Sequence, residues 1–441
     1  MLRKLLLAVI IFALMFSTGC FSGIGLEEII ASVLGDDSGN IFIAYKVQKS
    51  SEDHEIHLQK VGSNGSVIWD TPLPTGDERR ASIIDVAGGE SGSVYIAWEV
   101  LGPEGQRRSA RVTLLARVDA DGQISFQQEF AERGIQLAAV DAACVIINQA
   151  ADKERQALCF DGDGKILWEK GIRSGTGFEL AAGENGESFI LWGDRDNPYF
   201  VAQKLGANGQ LLWAQEDALE GVRIKYLKTE LWPEPQLISD GSGGAIVSWA
   251  EMTGAGIPSY VWVCQIGVDG QTICEEPVRD LTSAINIYTR LTTDGSGGAI
   301  VVWEDLRKGM ALYAQKLDSE GNPQWLKNGV PVCIDLPEVS PRFEAVSSGG
   351  GGAVVAWIDG DRKLYAQMLD ASGQGLWGDN GILVAKGACY LPVEVCGDNQ
   401  DGFVVGWSTG WDVHQPNDSY LQKIDSNGNL LWGKKGVKIK P

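Results

Sequence analysis

Few residues of this chain have the types and spacing needed for metal chemistry. His54 and His57 are three positions apart, but residues three apart on a strand point to opposite faces, so we interpret this pair as a solvated turn or edge. The Asp-x-Asp-Gly segments that begin at Asp119 and Asp161 resemble the start of a calcium loop, yet both lack its later oxygen ligands and its terminal Glu. We interpret both segments as hairpin turns, and we predict no metal and no cofactor.

Carboxylates are the remaining candidates for catalysis. Asp85, Asp141, Glu179, Glu344 and Glu394 would line a channel if the strands that carry them are innermost. Two carboxylates about 5 to 9 Å apart in a cleft would suit glycoside hydrolysis. The sequence shows no set of nucleophile, base and orienting residue, so we predict a non-enzyme with no catalytic residues. A quinoprotein-like or glycan-active enzyme is the alternative.

The composition excludes several classes of partner. The chain has 441 residues, with 58 acidic and 37 basic side chains and a formal net charge of -21. This charge repels phosphate backbones, so we exclude nucleic acid as a partner. With 44% hydrophobic residues, the sequence carries enough apolar surface to fold.

The first twenty residues read as an export signal. Two basic residues precede the apolar run Leu5–Phe16, which is too short for a permanent membrane span but suits a signal peptide. The run ends in Ser17-Thr18-Gly19-Cys20, which resembles the lipobox of bacterial lipoproteins. This resemblance implies lipidation of Cys20 and an extracytoplasmic protein anchored to a bacterial membrane. The predicted organisation is a signal peptide at 1–19, a lipidated linker at 20–25 and one repeat domain at 26–441.

Two signatures repeat in phase along the rest of the chain. The first is a glycine-rich turn followed by a β-branched run that ends in an aromatic residue, as in GSGGAIVVW ending at Trp303. We call the last residue of this signature the anchor; the anchors are Tyr45, Trp98, Asn148, Trp192, Trp249, Trp303, Trp357 and Trp407. The second signature is a glycine followed four residues later by a tryptophan or its substitute; these later residues are Trp69, Phe126, Trp168, Trp213, Cys274, Trp325, Trp377 and Trp432.

Each repeat reads as four short strands separated by turns, with no amphipathic helix between them. Four antiparallel strands in a unit of about 50 residues are typical of a propeller blade. We therefore predict an all-β fold, an eight-bladed β-propeller of four-stranded antiparallel blades. We expect the ring to close by packing of the last unit on the first, without a shared blade.

The repeat style resembles quinoprotein-like (PQQ-type) propellers and also NHL-type repeats. The turn Asp161-Gly162-Asp163-Gly164 with Trp168 is similar to the tryptophan-docking repeats of the quinoprotein group. A quinoprotein dehydrogenase would need adjacent cysteines, and this sequence has no Cys-Cys pair. The resemblance also extends to a propeller lipoprotein of outer-membrane assembly, which implies a noncatalytic scaffold.

Recurring polar residues have structural interpretations. Asp36, Asp240, Asp294 and Asp398 precede glycine-rich turns and should close those turns by bonding their own backbone. Glutamines recur on the third strand, where we expect their amides to bond backbone groups between blades; they are Gln59, Gln203, Gln265, Gln315, Gln367 and Gln422.

Departures from the repeat indicate a ligand surface. Trp232, Tyr260, Trp262 and Trp411 lie in or beside irregular loops, and we predict that they form the surface for an envelope protein or a glycan. Carbohydrate recognition by exposed aromatic rings is a further alternative.

The cysteines give one predicted disulfide. Cys144 and Cys159 lie at nearly opposite positions on adjacent strands of one unit, so a bond between them is plausible. Cys264 and Cys274 are also on adjacent strands, but we expect an offset of one residue to turn them to opposite faces.

Overall fold

The structure is a computed structural model. It describes residues 30–48, 54–75, 81–101, 111–130, 134–140, 143–149, 155–172, 175–194, 197, 199–213, 221–225, 235–251, 259–274, 277–281, 288–307, 309–337, 341–388, 393–400, 402–410 and 418–439. The predicted signal peptide, Cys20 and the predicted linker lie outside the described residues.

The described residues form eight sheets, which we number in chain order, and paired strands within each sheet are antiparallel. Sheet 1 contains β1 (Ile30–Gly35), β2 (Ile41–Gln48), β3 (His54–Val61) and β4 (Val67–Leu73). Sheet 2 contains β5 (Ala81–Gly88), β6 (Val94–Leu101), β7 (Arg111–Val118) and β8 (Ile124–Phe130). Sheet 3 contains β9 (Gly134–Val140), β10 (Ala143–Gln149), β11 (Arg155–Asp161) and β12 (Ile166–Ile172). Sheet 4 contains β13 (Thr176–Ala182), β14 (Ser188–Gly193), β15 (Tyr199–Leu205) and β16 (Val222–Lys225).

The second half of the chain repeats this order. Sheet 5 contains β17 (Gln236–Ser239), β18 (Ala245–Glu251), β19 (Ser259–Ile266) and β20 (Thr272–Ile273), and β21 (Arg279–Leu281) also pairs with β19. Sheet 6 contains β22 (Thr289–Thr293), β23 (Ala299–Asp305), β24 (Met310–Leu317) and β25 (Val330–Leu336). Sheet 7 contains β26 (Arg342–Ser347), β27 (Ala353–Ile358), β28 (Lys363–Leu369) and β29 (Ile382–Lys386). Sheet 8 contains β30 (Glu394–Gly397), β31 (Gly402–Thr409), β32 (Asp418–Asp425) and β33 (Val437–Lys438).

The first strands of successive sheets contact one another in a closed cycle that runs from β1 through β5, β9, β13, β17, β22, β26 and β30 back to β1. The first strand of each sheet is therefore innermost, and sheet 8 packs on sheet 1 without sharing a strand. This arrangement confirms the prediction of an all-β propeller of four-stranded antiparallel blades. The single helical turn among the described residues is a 3-10 turn at Glu90–Gly92.

The core lies between neighbouring sheets. Every residue of the second strand β23 is buried, because both faces of this strand pack against adjacent sheets. The anchor Trp303 packs toward sheet 5, in a cluster with Val261 and Val263. The unbroken β-branched runs of the sequence are thus explained by burial on two faces, as in other fully covered strands.

The strand order gives the ring two different faces. The turns between first and second strands and between third and fourth strands lie on one face, which we call the turn face. The connections between second and third strands, and from each fourth strand to the next sheet, lie on the other, which we call the loop face. The turns between first and second strands are short, with two to five residues, whereas loop-face connections range from three residues between β8 and β9 to ten between β16 and β17.

The predicted disulfide between Cys144 and Cys159 is wrong. Cys159 is a free, buried thiol, and the register places it opposite Val145 while Cys144 is opposite Phe160. Adjacent positions on a strand face opposite sides of a sheet, so a register offset by one residue does not favour this bond. Burial raises the pKa of the Cys159 thiol to about 11.

The bond forms instead between Cys264 and Cys274, whose Cα atoms are 4.6 Å apart. The expected offset is absent, because β19 and β20 pair Gln265 with Ile273 and this register places the two cysteines opposite each other.

Candidate functional site

The tryptophans of the second signature bind six of the eight sheets to the next one. The indole Nε1 of Trp325 donates to the carbonyl of Ala371 at 2.9 Å, and Trp69 does the same to Ala120 at 2.9 Å. Trp168, Trp213, Trp377 and Trp432 make equivalent bonds to the turn-face connection of the following sheet.

A glycine of the following sheet lies under each docked ring. A Cβ atom added to Gly373 would stand 2.8 Å from Cδ2 of Trp325, and one added to Gly122 would stand 2.8 Å from Cδ2 of Trp69. Both glycines also have positive φ angles, of 83° and 85°. The glycine of the signature is thus required by the turn conformation and by the neighbouring ring.

The recurrent glutamines lock the third strand to the following segment of the same sheet. Oε1 of Gln315 accepts the backbone N–H of Trp325 at 3.0 Å, and its Nε2 donates to the carbonyl of Leu326 at 3.0 Å. Gln203, Gln367 and Gln422 accept the equivalent tryptophan N–H groups. The amide-to-backbone interpretation is confirmed, but these four glutamines bond the next segment of their own sheet and do not join blades.

In sheet 5 a disulfide replaces the glutamine hydrogen bond. Cys264 and Cys274 are ten residues apart, as are Gln315 and Trp325, and the disulfide takes the place of the amide bond. Gln265 therefore occupies the position of Lys316, and its Nε2 donates to the carbonyl of Asp318 in sheet 6 at 2.5 Å.

The repeated aspartates close turns, as predicted. Oδ1 of Asp294 accepts the backbone N–H groups of Ser296 and Gly298, both at 2.8 Å. Its Oδ2 lies 3.2 Å from Nζ of Lys316, which also donates to the carbonyl of Gly351 in sheet 7 at 3.0 Å. Asp36, Asp240 and Asp398 accept from their own turns in the same way.

A lysine partner changes the pKa of the turn aspartate Asp398. Burial alone would raise the pKa of Asp398, but hydrogen bonds from Lys423 and from the turn backbone outweigh it and lower the pKa below its usual range. Asp398 is therefore a charged structural group and not a proton donor.

The histidine segment 54–57 forms no metal cluster in the part of the chain that the structure describes, where no three potential metal ligands converge. His57 is buried on β3, with Nδ1 2.9 Å from Asp70 and Nε2 3.4 Å from Glu55. Burial would lower the pKa of His57, but the two carboxylates outweigh it and raise the pKa above its ordinary value.

The innermost strands carry polar residues at one register position. Each of these residues is paired with the residue that precedes the anchor; they are Ser32, Asp85, Gln136, Glu179, Gln236, Arg290, Glu344 and Glu394. We call this set the inner ring. All eight side chains are partly exposed.

Only the four acidic members of the inner ring are predicted from the sequence. The full set has a simple signal, because its members stand 13 residues before the anchor, or 12 in sheet 3. Asp141, the fifth predicted acid, lies outside the described residues.

Inner-ring side chains bond the exposed edge of the neighbouring innermost strand. Oδ2 of Asp85 accepts the backbone N–H of Leu137 at 2.8 Å, and Oε1 of Gln236 accepts that of Leu291 at 2.6 Å. These bonds satisfy edge groups that no further strand reaches. Burial raises the pKa of Asp85 to about 6, although its backbone hydrogen bonds act in the opposite direction.

Opposite charges also meet in the inner ring. Nε of Arg290 donates to Oε2 of Glu344 at 2.7 Å across the boundary between sheets 6 and 7. Inner-ring residues therefore join neighbouring sheets around the axis. The side chains at these equivalent positions differ in chemistry from sheet to sheet.

Two of the four residues of the predicted aromatic ligand surface are described by the structure. Trp232 and Trp411 lie outside the described residues. Trp262 stacks on the anchor Trp249 with ring centroids 5.9 Å apart, so it fills the space that Tyr365 fills against Trp357. Trp262 therefore occupies a regular position of the repeat, and its place in the ligand surface stays a prediction. Tyr260 is half-buried beside it, with ring centroids 6.2 Å apart.

No helix in the part of the chain that the structure covers has the length and apolar character needed to cross a bilayer.

Comparisons with known proteins give structural neighbours without a family. No protein-family profile matches this sequence, and no curated protein matches it. BamB from Moraxella catarrhalis is 12% identical with a TM-score of 0.45, and the alignment covers 86% of this chain and 93% of that one. The BP39L lectin from Burkholderia pseudomallei is 9% identical with a TM-score of 0.47, over 94% of this chain and 99% of that one. Puromycin hydrolase is 13% identical with a TM-score of 0.42, over 94% of this chain and 55% of that one.

Proposed function

We propose that this protein is a lipid-anchored, extracytoplasmic propeller that binds or scaffolds another molecule of the cell envelope without catalysing a reaction. The proposal of a lipid anchor is based on the lipobox-like segment that ends at Cys20. Stable anchoring needs more than one acyl chain, which diacylation of a lipoprotein cysteine supplies.

One observation carries the binding function. Residues that recur in the sheets have structural roles: they form contacts within a sheet, as Gln315 does, or between sheets, as Trp325 does. Residues that differ between sheets gather in the inner ring and in the loop-face connections. A partner without the symmetry of the ring must be recognised at positions where the sheets carry different residues.

The chain enters the propeller at the loop face, which is therefore the face nearer to the proposed lipid anchor at Cys20. The first strand β1 begins at the loop face, and Ile30 follows Cys20 by ten residues. A fully extended segment of that length spans at most about 35 Å. We therefore expect a partner that lies in or near the same membrane.

A pull-down from solubilised envelope tests this proposal. The bait is the mature protein, compared with a loop-face variant in which Trp232, Tyr260 and Trp411 are replaced by Ala. The matched control replaces Val268 and Leu326, which are 64% and 71% exposed near the turn face, by Ala.

A defined polypeptide or glycan that the control retains and the loop-face variant loses supports the proposal. Equal retention by all three baits, or conversion of a retained glycan to cleaved products, contradicts it.

A further inference from the structure

The boundary between sheet 8 and sheet 1 is the seam at which the ring closes, since no chain connection crosses it. Nε1 of Trp432 donates to the carbonyl of Ser63 at 3.2 Å, and Gly65 lies under the same indole ring. Among the described residues, noncovalent contacts alone hold this boundary, so its stability depends on them.

An ionisable pair replaces the usual aromatic pair at this seam. In sheets 6, 7 and 8 the anchor tryptophan is paired across the strands with Tyr313, Tyr365 or Tyr420. In sheet 1 the pair is Tyr45 and His57, with ring centroids 5.2 Å apart.

Both nitrogens of His57 face carboxylates. Nδ1 lies 2.9 Å from Oδ2 of Asp70, and Nε2 lies 3.4 Å from Oε2 of Glu55. The Tyr45 hydroxyl donates to the other Asp70 oxygen at 3.0 Å. Only the imidazolium form can donate from both nitrogens, whereas a neutral ring turns one lone pair toward a carboxylate.

Among the described residues, the apolar cluster at the seam brings no cation to this pair. Tyr45 packs in one cluster with Cys396, Val404, Leu421 and Ile439 of sheet 8, and of these four only the Cys396 thiol titrates. Burial raises the pKa of that thiol, which stays neutral.

Two lysines on the strands of sheet 8 are already paired, and the lysine next to Tyr45 lies on the other side of sheet 1. On sheet 8, Lys438 pairs with Asp418 and Lys423 pairs with Asp398. Lys46, the residue after Tyr45 on β2, points to the opposite face.

We propose that His57 is a pH-sensitive latch of ring closure, which holds sheet 1 against sheet 8 when protonated and weakens the seam when it loses its proton. Tyr45 transmits the change, because it shares Asp70 with His57 and packs against sheet 8. The inference does not depend on the proposed function.

The sign follows from the environment of the ring. Burial lowers the pKa of His57, but Asp70 and Glu55 together raise it above its ordinary value of 6.5. The stabilisation is therefore complete below pH 6.5 and is lost as pH rises through the raised pKa.

Hydrogen exchange measured at pH 6 and pH 8, corrected for intrinsic rates, tests the latch. In the wild-type protein we expect faster seam opening at pH 8 in β1–β4 and β30–β33 than in β13–β15. The change should approach tenfold for each unit by which the pKa of His57 exceeds its ordinary value. His57→Tyr, which installs the residue found in sheets 6 to 8, should remove this pH dependence, and His54→Gln should retain it.

His57→Gln serves if the tyrosine variant does not fold, and it should also remove the dependence. NMR titration of the His57 ring provides a second readout. A pH dependence that survives both substitutions, or a ring that titrates at or below pH 6.5, overturns the proposal.

Discussion

Cys264 is bonded to Cys274 at the two positions where the next sheet carries Gln315 and Trp325. A covalent bond thus replaces the hydrogen bond that locks the third strand in sheets 4, 6, 7 and 8. The regular fourth strand of sheet 5 is short, with only Thr272–Ile273 in β20, so this bond holds a weak edge.

The first prediction concerns that bond. Replacing Cys264 and Cys274 together by Ser should lower the free energy of unfolding by about 2–4 kcal/mol, because the disulfide closes a short loop. The paired change Cys264→Gln with Cys274→Trp restores the repeat and should recover part of the loss. Chemical denaturation under oxidising conditions measures both, and a serine variant as stable as the wild type would refute the assignment.

A second prediction separates turn strain from ring contact. Gly321 and Gly373 have nearly equal φ angles of 82° and 83°, so alanine costs about 1–2 kcal/mol at either position. A Cβ at Gly373 would meet Trp325 at 2.8 Å, whereas one at Gly321 meets nothing nearer than 3.6 Å. Gly373→Ala should therefore cost about 1–3 kcal/mol more than Gly321→Ala. Equal thermal shifts for the two variants would show that docking of the ring imposes no constraint.

The glutamine lock gives a third prediction. Gln315→Leu leaves the buried N–H of Trp325 without its acceptor and should cost about 1–3 kcal/mol. Gln324→Leu, at an exposed position of the same segment, should change stability little. Denaturation followed by tryptophan fluorescence compares the two, and equal losses would mean that the lock contributes nothing specific.

The inner ring gives a prediction about pH. The pKa of Asp85 is raised to about 6 from 3.8, so the folded state binds a proton more readily than the unfolded chain does. Stability should therefore fall as pH rises from about 4 to about 6. Asp85→Asn should flatten this part of the pH profile, whereas Glu90→Gln, at an exposed site on the same sheet, should preserve it. An unchanged slope in Asp85→Asn would place the dependence elsewhere.

Sequence spacing predicted the blade type because strand length, turn chemistry and anchor phase repeat together. The roles of Trp325 and of the turn aspartates followed from the same phase, since each role needs one residue type at one offset. Trp325 nevertheless precedes β25 rather than lying on it, because its segment forms a turn before the strand begins at Val330.

The errors came from matching residue letters instead of spacing. Gln265 matches the other glutamines in residue type, but the interval of ten residues to Cys274 makes Cys264 the equivalent position. The inner ring was missed in part because its members share a position and not a residue type. Stacking of Trp262 on Trp249 depends on strand register, which the sequence alone leaves open.

The most direct test of the binding proposal is photocrosslinking in intact cells. A photoreactive residue replaces Asp361, which is 61% exposed on the loop face, or Ser319, which is exposed on the turn face. We predict a discrete adduct from position 361 in the membrane fraction and none from position 319. An adduct from position 319 alone, or none from either site, would contradict a partner bound through the loop face.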